Sequence, residues 1–191
     1  MNSSKVSVLA LGAVLACACA GAPEQRLQAD VHTFPSEQAP AKLTARGRAF
    51  AAMGDTTRAR EYFDAALEAG GDDRELTPLL LGVCVRDGRY RLAIDYAERY
   101  VRKHPRDERM RLVLGTLRAG VGEPLAAEVE LTKVVEASPE NPDAHYALAV
   151  LLRDQRDDPL GADRHFRAYL ELQPQGEHSE EAKSSLLQAV R

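Results

Sequence analysis

Two stretches of the chain, GRYRLAIDYAERYVRKHP (88–105) and GEPLAAEVELTKVVEASP (122–139), share one pattern. Each begins with Gly, carries Ala and then Val at the same places, and ends in Pro. The interval from Gly88 to Gly122 also relates residues outside these stretches. The matching series are Gly54, Gly88 and Gly122; Ala59, Ala93 and Ala127; and Leu67, Val101 and Val135. A fixed period of this length indicates a stacked repeat protein.

A fourth copy of the pattern follows with one extra residue near Asp157-Asp158. Its matching residues, which lie 35 residues after Ala127, Val135 and Pro139, are Ala162, Leu170 and Pro174. Each period contains two helical patterns joined by a short turn, and no alternating run typical of a strand interrupts them. Four prolines are placed where the first turn of a helix tolerates them, and these are Pro78, Pro124, Pro142 and Pro159. Helix pairs of this length must stack to bury their apolar faces.

The 34-residue helix-turn-helix pattern, with its small residue in the first helix, turn glycine, alanine in the second helix and closing proline, resembles the tetratricopeptide repeat. The resemblance covers about residues 41–175. It implies an all-α, right-handed α-solenoid of about four repeats with a C-terminal capping helix. The expected repeats are 41–73, 74–107, 108–141 and 142–177, and the expected capping helix is 178–191.

The chain departs from the family's pattern at several places. Leu81 stands where the first helix of the second copy is expected to have a small residue, and the first copy ends in Gly70-Gly71 instead of Pro. The Trp often found early in the first helix is replaced in all four copies, by Leu43, Thr77, Arg111 and His145.

Residues 1–16 have the pattern of an export signal. A single Lys5 precedes an uncharged run from Val6 to Ala16, and this run is too short for a transmembrane helix. Val14-Leu15-Ala16-Cys17 resembles a bacterial lipobox, which predicts lipid attachment at Cys17. Two alternatives remain open: lipid attachment at Cys19, or ordinary signal peptidase cleavage after Ala20.

Residues 17–40 follow as a lipidated cysteine and a flexible tether that contains three of the ten prolines. Ala18 directly after Cys17 resembles the pattern that directs lipoproteins to the outer membrane. We therefore expect a protein of the bacterial cell envelope that is held to the outer membrane by its N-terminal lipid and faces the periplasm.

Composition and motifs exclude several classes of function. A net charge of -4 argues against a nucleic-acid partner, and an aromatic content of 5% without Trp favours helices over a β-sandwich. No catalytic, nucleotide-binding or cofactor-binding motif is present in the sequence, so we expect no enzyme, no cofactor and no small-molecule substrate. His145 and His165 lie in the two helices of one repeat and can approach each other. No third ligand clusters with them, and we expect no metal site.

In tetratricopeptide folds the first helices line a concave groove, and the resemblance therefore implies a partner-binding surface here. The predicted groove residues are Arg48, Arg86, Arg109, Leu112, Tyr146, Val150 and Arg153. Arginines among apolar side chains suit an extended or helical segment that carries carboxylates, although solvated arginines are the alternative. The Lys pattern of chaperone-binding carboxylate clamps is absent.

The expected function is a non-enzymatic scaffold that recruits or stabilises another envelope protein or a peptide segment of one. Its layout is similar to that of lipoproteins that assist secretin assembly for type IV pili. The alternatives are an accessory role in outer-membrane protein insertion or peptidoglycan synthesis, or an enzyme.

Overall fold

The computed structural model describes residues 39–187, all of which belong to one compact unit, Glu37–Arg191. This part of the chain is helical and contains no strand. The helices are α1 (Pro40–Ala52), α2 (Thr56–Glu68), α3 (Asp73–Arg86), α4 (Tyr90–Lys103), α5 (Glu108–Gly120), α6 (Pro124–Ala137), α7 (Pro142–Gln155), α8 (Pro159–Leu172) and α9 (Ser179–Ser185). The prediction of an all-α repeat fold is confirmed.

Several sequence predictions lie outside the described residues. They are the signal peptide at 1–16, the lipidation of Cys17 or Cys19 and most of the tether. The predicted capping helix, 178–191, corresponds to a shorter helix, since α9 ends at Ser185 and residues 188–191 are outside the described part. Within residues 39–187, none of the helices is long and apolar enough to cross a membrane.

Each helix packs against the helices that precede and follow it in the chain, and α5 also touches α7. The pairs α1–α2, α3–α4, α5–α6 and α7–α8 are thereby stacked in sequence order, and α9 packs against α8. Ala182 of α9 is fully buried in this contact region. First helices of successive pairs consequently lie near one another, which allows side chains from α3, α5 and α7 to form shared cavities.

The turn inside each pair requires a left-handed backbone conformation. Gly54, Gly88 and Gly122 adopt φ values of 80°, 68° and 77°, which side chains disfavour. Asp157, with φ of 51°, takes the corresponding place in the fourth pair, and Asp tolerates this conformation better than most residues. The extra residue of the fourth copy widens this turn, because Asp158 N–H bonds to the carbonyl oxygen six residues earlier instead of five.

Side-chain caps and prolines begin most of the helices. The capping side chains, which accept a hydrogen bond from an N–H of the first turn, are Asp55, Asp72, Asp107, Asn141 and Asp158. Pro124, Pro142 and Pro159 stand at helix starts, as predicted. The prediction for Pro78 is wrong. Asp72 accepts from Arg74 N–H at 2.9 Å and begins α3 upstream, so Pro78 lies inside that helix.

The two helices of a pair approach closely where a small residue faces a large one. A Cβ atom on Gly115 of α5 would lie 2.8 Å from two carbon atoms of Leu131 in α6. A Cβ atom on Gly47 of α1 would lie 2.5 Å from the ring of Phe63 in α2. At each glycine, a hydrogen atom thus occupies the space that the methyl group of an alanine would need. The larger side chain of the second helix therefore packs directly against the first helix.

The second pair reverses this arrangement. Leu81 of α3 lies one period after Gly47, and Ala97 of α4 lies one period after Phe63. Both residues are buried. The departure at Leu81 is therefore accompanied by a small residue at the corresponding place in the second helix, and the two helices of this pair approach each other less closely than those of the other pairs.

Polar residues at the positions usually held by Trp connect first helices to the loops before them. Arg111 Nη2 donates to the carbonyl oxygen of Pro105 at 2.9 Å, and His145 Nε2 donates to that of Pro139 at 2.9 Å. Arg111 also forms an ion pair with Glu130 at 2.5 Å, in which both side chains are only 13% exposed. At these positions the side chains of Arg111 and His145 form hydrogen bonds, whereas the indole of a Trp would mainly make apolar contacts.

We expect Gly115→Ala to lower the free energy of unfolding by about 1–2 kcal/mol, because overpacking against Leu131 outweighs the higher helix propensity of Ala. Gly82→Ala in α3 is the matched control, since a Cβ at Gly82 would meet no atom within 4 Å. We expect that control to raise stability by about 0.5–1 kcal/mol. Urea unfolding followed by circular dichroism compares the two. Equal stabilisation by both substitutions would contradict the close approach at Gly115.

Candidate partner-binding cavities

Three of the predicted groove residues, Leu112, Tyr146 and Val150, line one cavity of about 340 Å³ between α5 and α7. We call it the α5–α7 cavity. Its other lining residues are Thr116, Ala119, Leu131, Asp143, Ala147, Leu151, Gln155 and His178. On α5, residues 112, 116 and 119 follow the helical repeat, so that one face of this helix is presented to the cavity. The lining is mainly apolar, which suits the side chain of a partner residue.

The Tyr146 ring is held in place as a wall of this cavity. Its hydroxyl donates to Glu181 Oε2 at 2.6 Å, and its ring stacks on His178 with centroids 3.9 Å apart. Burial, followed by the hydrogen bond to the Glu181 carboxylate, raises the pKa of Tyr146 to about 12. The phenol therefore stays neutral at physiological pH. The contacts with Glu181 of α9 and with His178 of the preceding loop fix the orientation of the ring.

Arg153, another predicted groove residue, joins α7 to α9. Its guanidinium donates to Asp154 at 2.6 Å, to Glu181 at 3.0 Å and to Ser185 Oγ at 2.6 Å, and lies over the Phe166 ring. The Asp154 carboxylate is the main cause of a raised Arg153 pKa. Arg153 is thus engaged in holding the C-terminal helix and does not line either cavity.

Arg48 and Arg86 lie in the first two pairs and make internal contacts. Arg48 Nη2 forms an exposed ion pair with Glu75 Oε1 at 3.0 Å. Arg86 Nη1 donates to the backbone carbonyl of Ala51 at 2.9 Å, near the C-terminus of α1. Both bonds join α1 to α3, and neither arginine lines a cavity described here. The seven predicted residues therefore do not form a single site.

Arg109 lines a second and larger cavity of about 1,200 Å³, which we call the α3–α5 cleft. Residues of α3, the end of α4, the following loop and the start of α5 contribute to it. They are Arg74, Pro78, Leu81, Tyr100, Lys103, His104, Pro105, Arg106, Asp107, Glu108, Arg109, Met110 and Val113. The cleft combines apolar side chains with several cations.

The two histidines expected to approach each other are in contact. His145 Nδ1 lies 3.0 Å from His165 Nδ1. Since His145 Nε2 must carry its proton to donate to Pro139, His145 Nδ1 accepts and His165 Nδ1 donates. Burial is the main cause of a lowered His165 pKa, and electrostatic interactions with His145 and Arg164 act in the same direction, against an opposing effect of Asp158.

Among residues 39–187, no cluster of three or more His, Cys, Asp or Glu side chains has the arrangement of a metal site. Cys84 is a buried free thiol in α3, and burial raises its pKa, which disfavours the reactive thiolate.

The model of the tetratricopeptide repeat family matches residues 44–108 and 112–177. The chain belongs to the tetratricopeptide repeat family. Members of this family are typically non-enzymatic interaction modules that bind peptides or other proteins. No curated protein matches this tetratricopeptide repeat protein in sequence.

Solved structures share the fold. YrrB, described as a TPR protein with an unusual peptide-binding site, is 23% identical, with a TM-score of 0.67 over 78% of this chain and 76% of YrrB. MamA from Desulfovibrio magneticus RS-1 is 26% identical, with a TM-score of 0.64 over 74% of this chain and 79% of that structure. A tetratricopeptide repeat protein from Parabacteroides merdae ATCC 43184 is 20% identical, with a TM-score of 0.70 over 78% of this chain and 59% of that one.

Several cavity residues of this tetratricopeptide repeat protein were not among the predicted groove residues. His178 comes from the segment after the last repeat, and Arg106 comes from a loop between pairs. Arg74 is on a first helix, but near its start. The repeat period gives no reason to place these three side chains at a cavity, because each depends on how a loop or helix end is positioned.

We expect the histidine pair to make stability depend on pH. Because the folded-state pKa of His165 lies below the value of about 6.5 for an unfolded chain, the unfolded state binds more protons between these values. The free energy of unfolding should therefore fall as the pH drops through about 6.5. We expect His165→Gln to reduce this dependence, measured by urea unfolding between about pH 7.5 and 5.5. The same pH dependence in both proteins would contradict the proposed effect of the pair.

Proposed function

We propose that this protein is a membrane-anchored protein-interaction scaffold of the bacterial cell envelope. The observation that carries the proposal is the α5–α7 cavity, an apolar cavity on the first-helix side of a tetratricopeptide repeat fold. It receives an apolar side chain from a segment of the partner protein. The protein acts by binding and performs no chemistry on its partner.

The cavity is suited to this role because much of its wall is fixed before a partner binds. Tyr146 is restrained by Glu181 and by stacking on His178, and Val150 and Leu112 project from helices. A preformed apolar site reduces the conformational entropy that binding would otherwise cost. The peptide-binding site of YrrB, a protein with the same fold, supports a peptide segment as the ligand class here.

The proposed location rests on the sequence of residues 1–38. An export signal followed by Cys17, or alternatively by Cys19, supports lipid attachment, and Ala18 supports the outer membrane with the solenoid in the periplasm. The tether up to residue 40 would hold the solenoid away from the lipid surface. Stable anchoring requires more than one acyl chain, which a fully processed lipoprotein provides.

We further propose that the partner belongs to an envelope assembly such as the type IV pilus secretin. The support is the shared layout of export signal, lipidated cysteine, tether and tetratricopeptide repeats. A layout identifies a class of partner through analogy, and the partner itself is to be identified by capture.

We expect Leu112→Asp to reduce recovery of the partner at least about tenfold, because a carboxylate in an apolar cavity is costly to desolvate. The full-length chain, carrying an affinity tag at its C-terminus, is to be captured from detergent-solubilised envelopes. Leu160→Asp on α8 is the matched control, since Leu160 is 70% exposed and lines neither cavity. Thermal unfolding checks that both variants fold. Undiminished recovery with folded Leu112→Asp would sink the proposed role of the cavity.

Lipid attachment is tested by labelling cells with radioactive palmitate. We expect the wild-type chain to incorporate label and Cys17→Ser to lose it, because the thioether is formed at that sulfur. Label that persists in Cys17→Ser and disappears in Cys19→Ser would assign the anchor to Cys19. Absence of label from the wild-type chain would support ordinary signal peptidase cleavage.

A further inference from the structure

Arginines whose guanidinium groups make no hydrogen bond or ion pair are concentrated at the α3–α5 cleft. Arg74, Arg106, Arg109 and Arg164 are the arginines of residues 39–187 whose guanidinium groups make neither a hydrogen bond nor an ion pair within this part of the chain. The first three line the cleft, and Arg164 lies on α8. Most other arginines in this region, such as Arg48, are engaged with carboxylates or carbonyl groups.

The acidic side chains of the cleft make no hydrogen bond or ion pair with these arginines. Asp107 accepts hydrogen bonds from Met110 N–H at 3.0 Å and from the Tyr100 hydroxyl at 2.7 Å. Burial opposes these two hydrogen bonds, which together with the charges of His104 and Arg109 lower the pKa of Asp107. Glu108 accepts from the Ser138 hydroxyl of the next loop. Both carboxylates thus have internal structural roles.

Cations remain in excess after these carboxylates are counted. The cleft has Arg74, Lys103, Arg106 and Arg109 against Asp107 and Glu108. Lys103 forms an ion pair with Asp73 at 3.4 Å, which leaves three arginines against these two carboxylates. In a chain whose net charge is -4, this local positive excess marks a surface that attracts anions.

Apolar side chains accompany the cations. Leu81 and Met110 are buried beneath the cleft, and Val113 is 40% exposed although it is apolar. Exposed Pro78 completes this set. A ligand that fits this lining has anionic groups for the guanidiniums and at least one apolar group for Val113 and its neighbours.

We propose that the α3–α5 cleft binds a carboxylate-rich segment of a protein partner, in which Asp or Glu side chains pair with Arg106 and Arg109 while an apolar side chain contacts Val113. Carboxylates are favoured partners because a guanidinium can bind one with two parallel hydrogen bonds. This inference rests on the proposed scaffold function and specifies the chemistry of the partner.

A protein segment fits the cleft better than a membrane or a nucleic acid. An extended segment projects side chains into a cleft, whereas a membrane presents its headgroups as a broad layer. Nucleic acid would require a wider basic surface than this local cluster in an acidic chain. α5 contributes Arg109 and Val113 to the cleft and Leu112 and Thr116 to the α5–α7 cavity, so a segment that crosses α5 can contact both.

The test is fluorescence anisotropy of the full-length chain with a fluorescein-labelled peptide in which Glu alternates with Leu. We expect the double variant Arg106→Glu/Arg109→Glu to weaken binding at least about tenfold, because two charge-assisted contacts become repulsive. Arg164→Glu reverses one such charge at an arginine outside the cleft and should leave affinity unchanged. A matched peptide with Gln in place of Glu should bind at least about tenfold more weakly to the wild-type chain.

Other outcomes would overturn the inference. These are equal binding of the Glu-Leu peptide by the double variant and the wild type, equal weakening by Arg164→Glu, or no binding by the wild-type chain. Binding only to phosphatidylglycerol vesicles, abolished in the double variant, would assign the arginines to lipid headgroups instead. Circular dichroism of each variant tests whether unfolding is the cause of weakened binding.

The capture experiment separates this inference from the proposed function. Loss of the partner with Leu112→Asp, together with full recovery by the Arg106→Glu/Arg109→Glu variant, would uphold the scaffold and overturn the role of the cleft. Full recovery by Leu112→Asp together with loss in the double variant would uphold the cleft and overturn the α5–α7 cavity as the binding site.

Discussion

The close approach of the two helices within the first, third and fourth pairs is the constraint on which the rest of this structure depends. Gly115 against Leu131 and Gly47 against Phe63 leave no space for an added methyl group. The buried pair Leu81 and Ala97 reverses the sizes at corresponding positions. Helices packed at this distance bury small residues along their length, which agrees with full burial of the periodic alanines at 59, 93 and 127. The low aromatic content follows from this mode of packing, since small side chains fill much of the contact.

In the stacked helix pairs, the arginines fall into two groups: those that are bonded within the fold and those that are not. Most arginines are engaged within the fold, as Arg111 is with Glu130 and Arg153 is with Glu181. These ion pairs fix helices and loops relative to one another, and exposed ones such as Arg48–Glu75 contribute little stability individually. Arg106 and Arg109 have no such engagement in the described part of the chain. The first helices therefore present an apolar cavity on one side of α5 and a cationic cleft on the other.

Prediction of the site from the sequence succeeded for the side chains whose position follows from the helical period alone. Leu112, Tyr146 and Val150 line one cavity because first helices of adjacent pairs lie near each other. The helical period alone could not show that Arg109 lines a cavity whereas Arg153 is bonded to α9. Whether an arginine is left open to a ligand depends on which carboxylates approach it from other elements, and those distances are decided by α9 and by the turns.

The sequence by itself determined the helical class of the protein, the repeated stacking unit and the left-handed turns, because periodic apolar residues and glycines act within one repeat. It also carried the export signal and the lipobox, which are read as linear motifs. Only the tertiary structure decided that Pro78 lies inside α3, that His178 stacks on Tyr146 and that three open arginines meet at one cleft. These features arise between elements distant in the chain, where packing geometry sets the neighbours of each side chain and no local pattern encodes them.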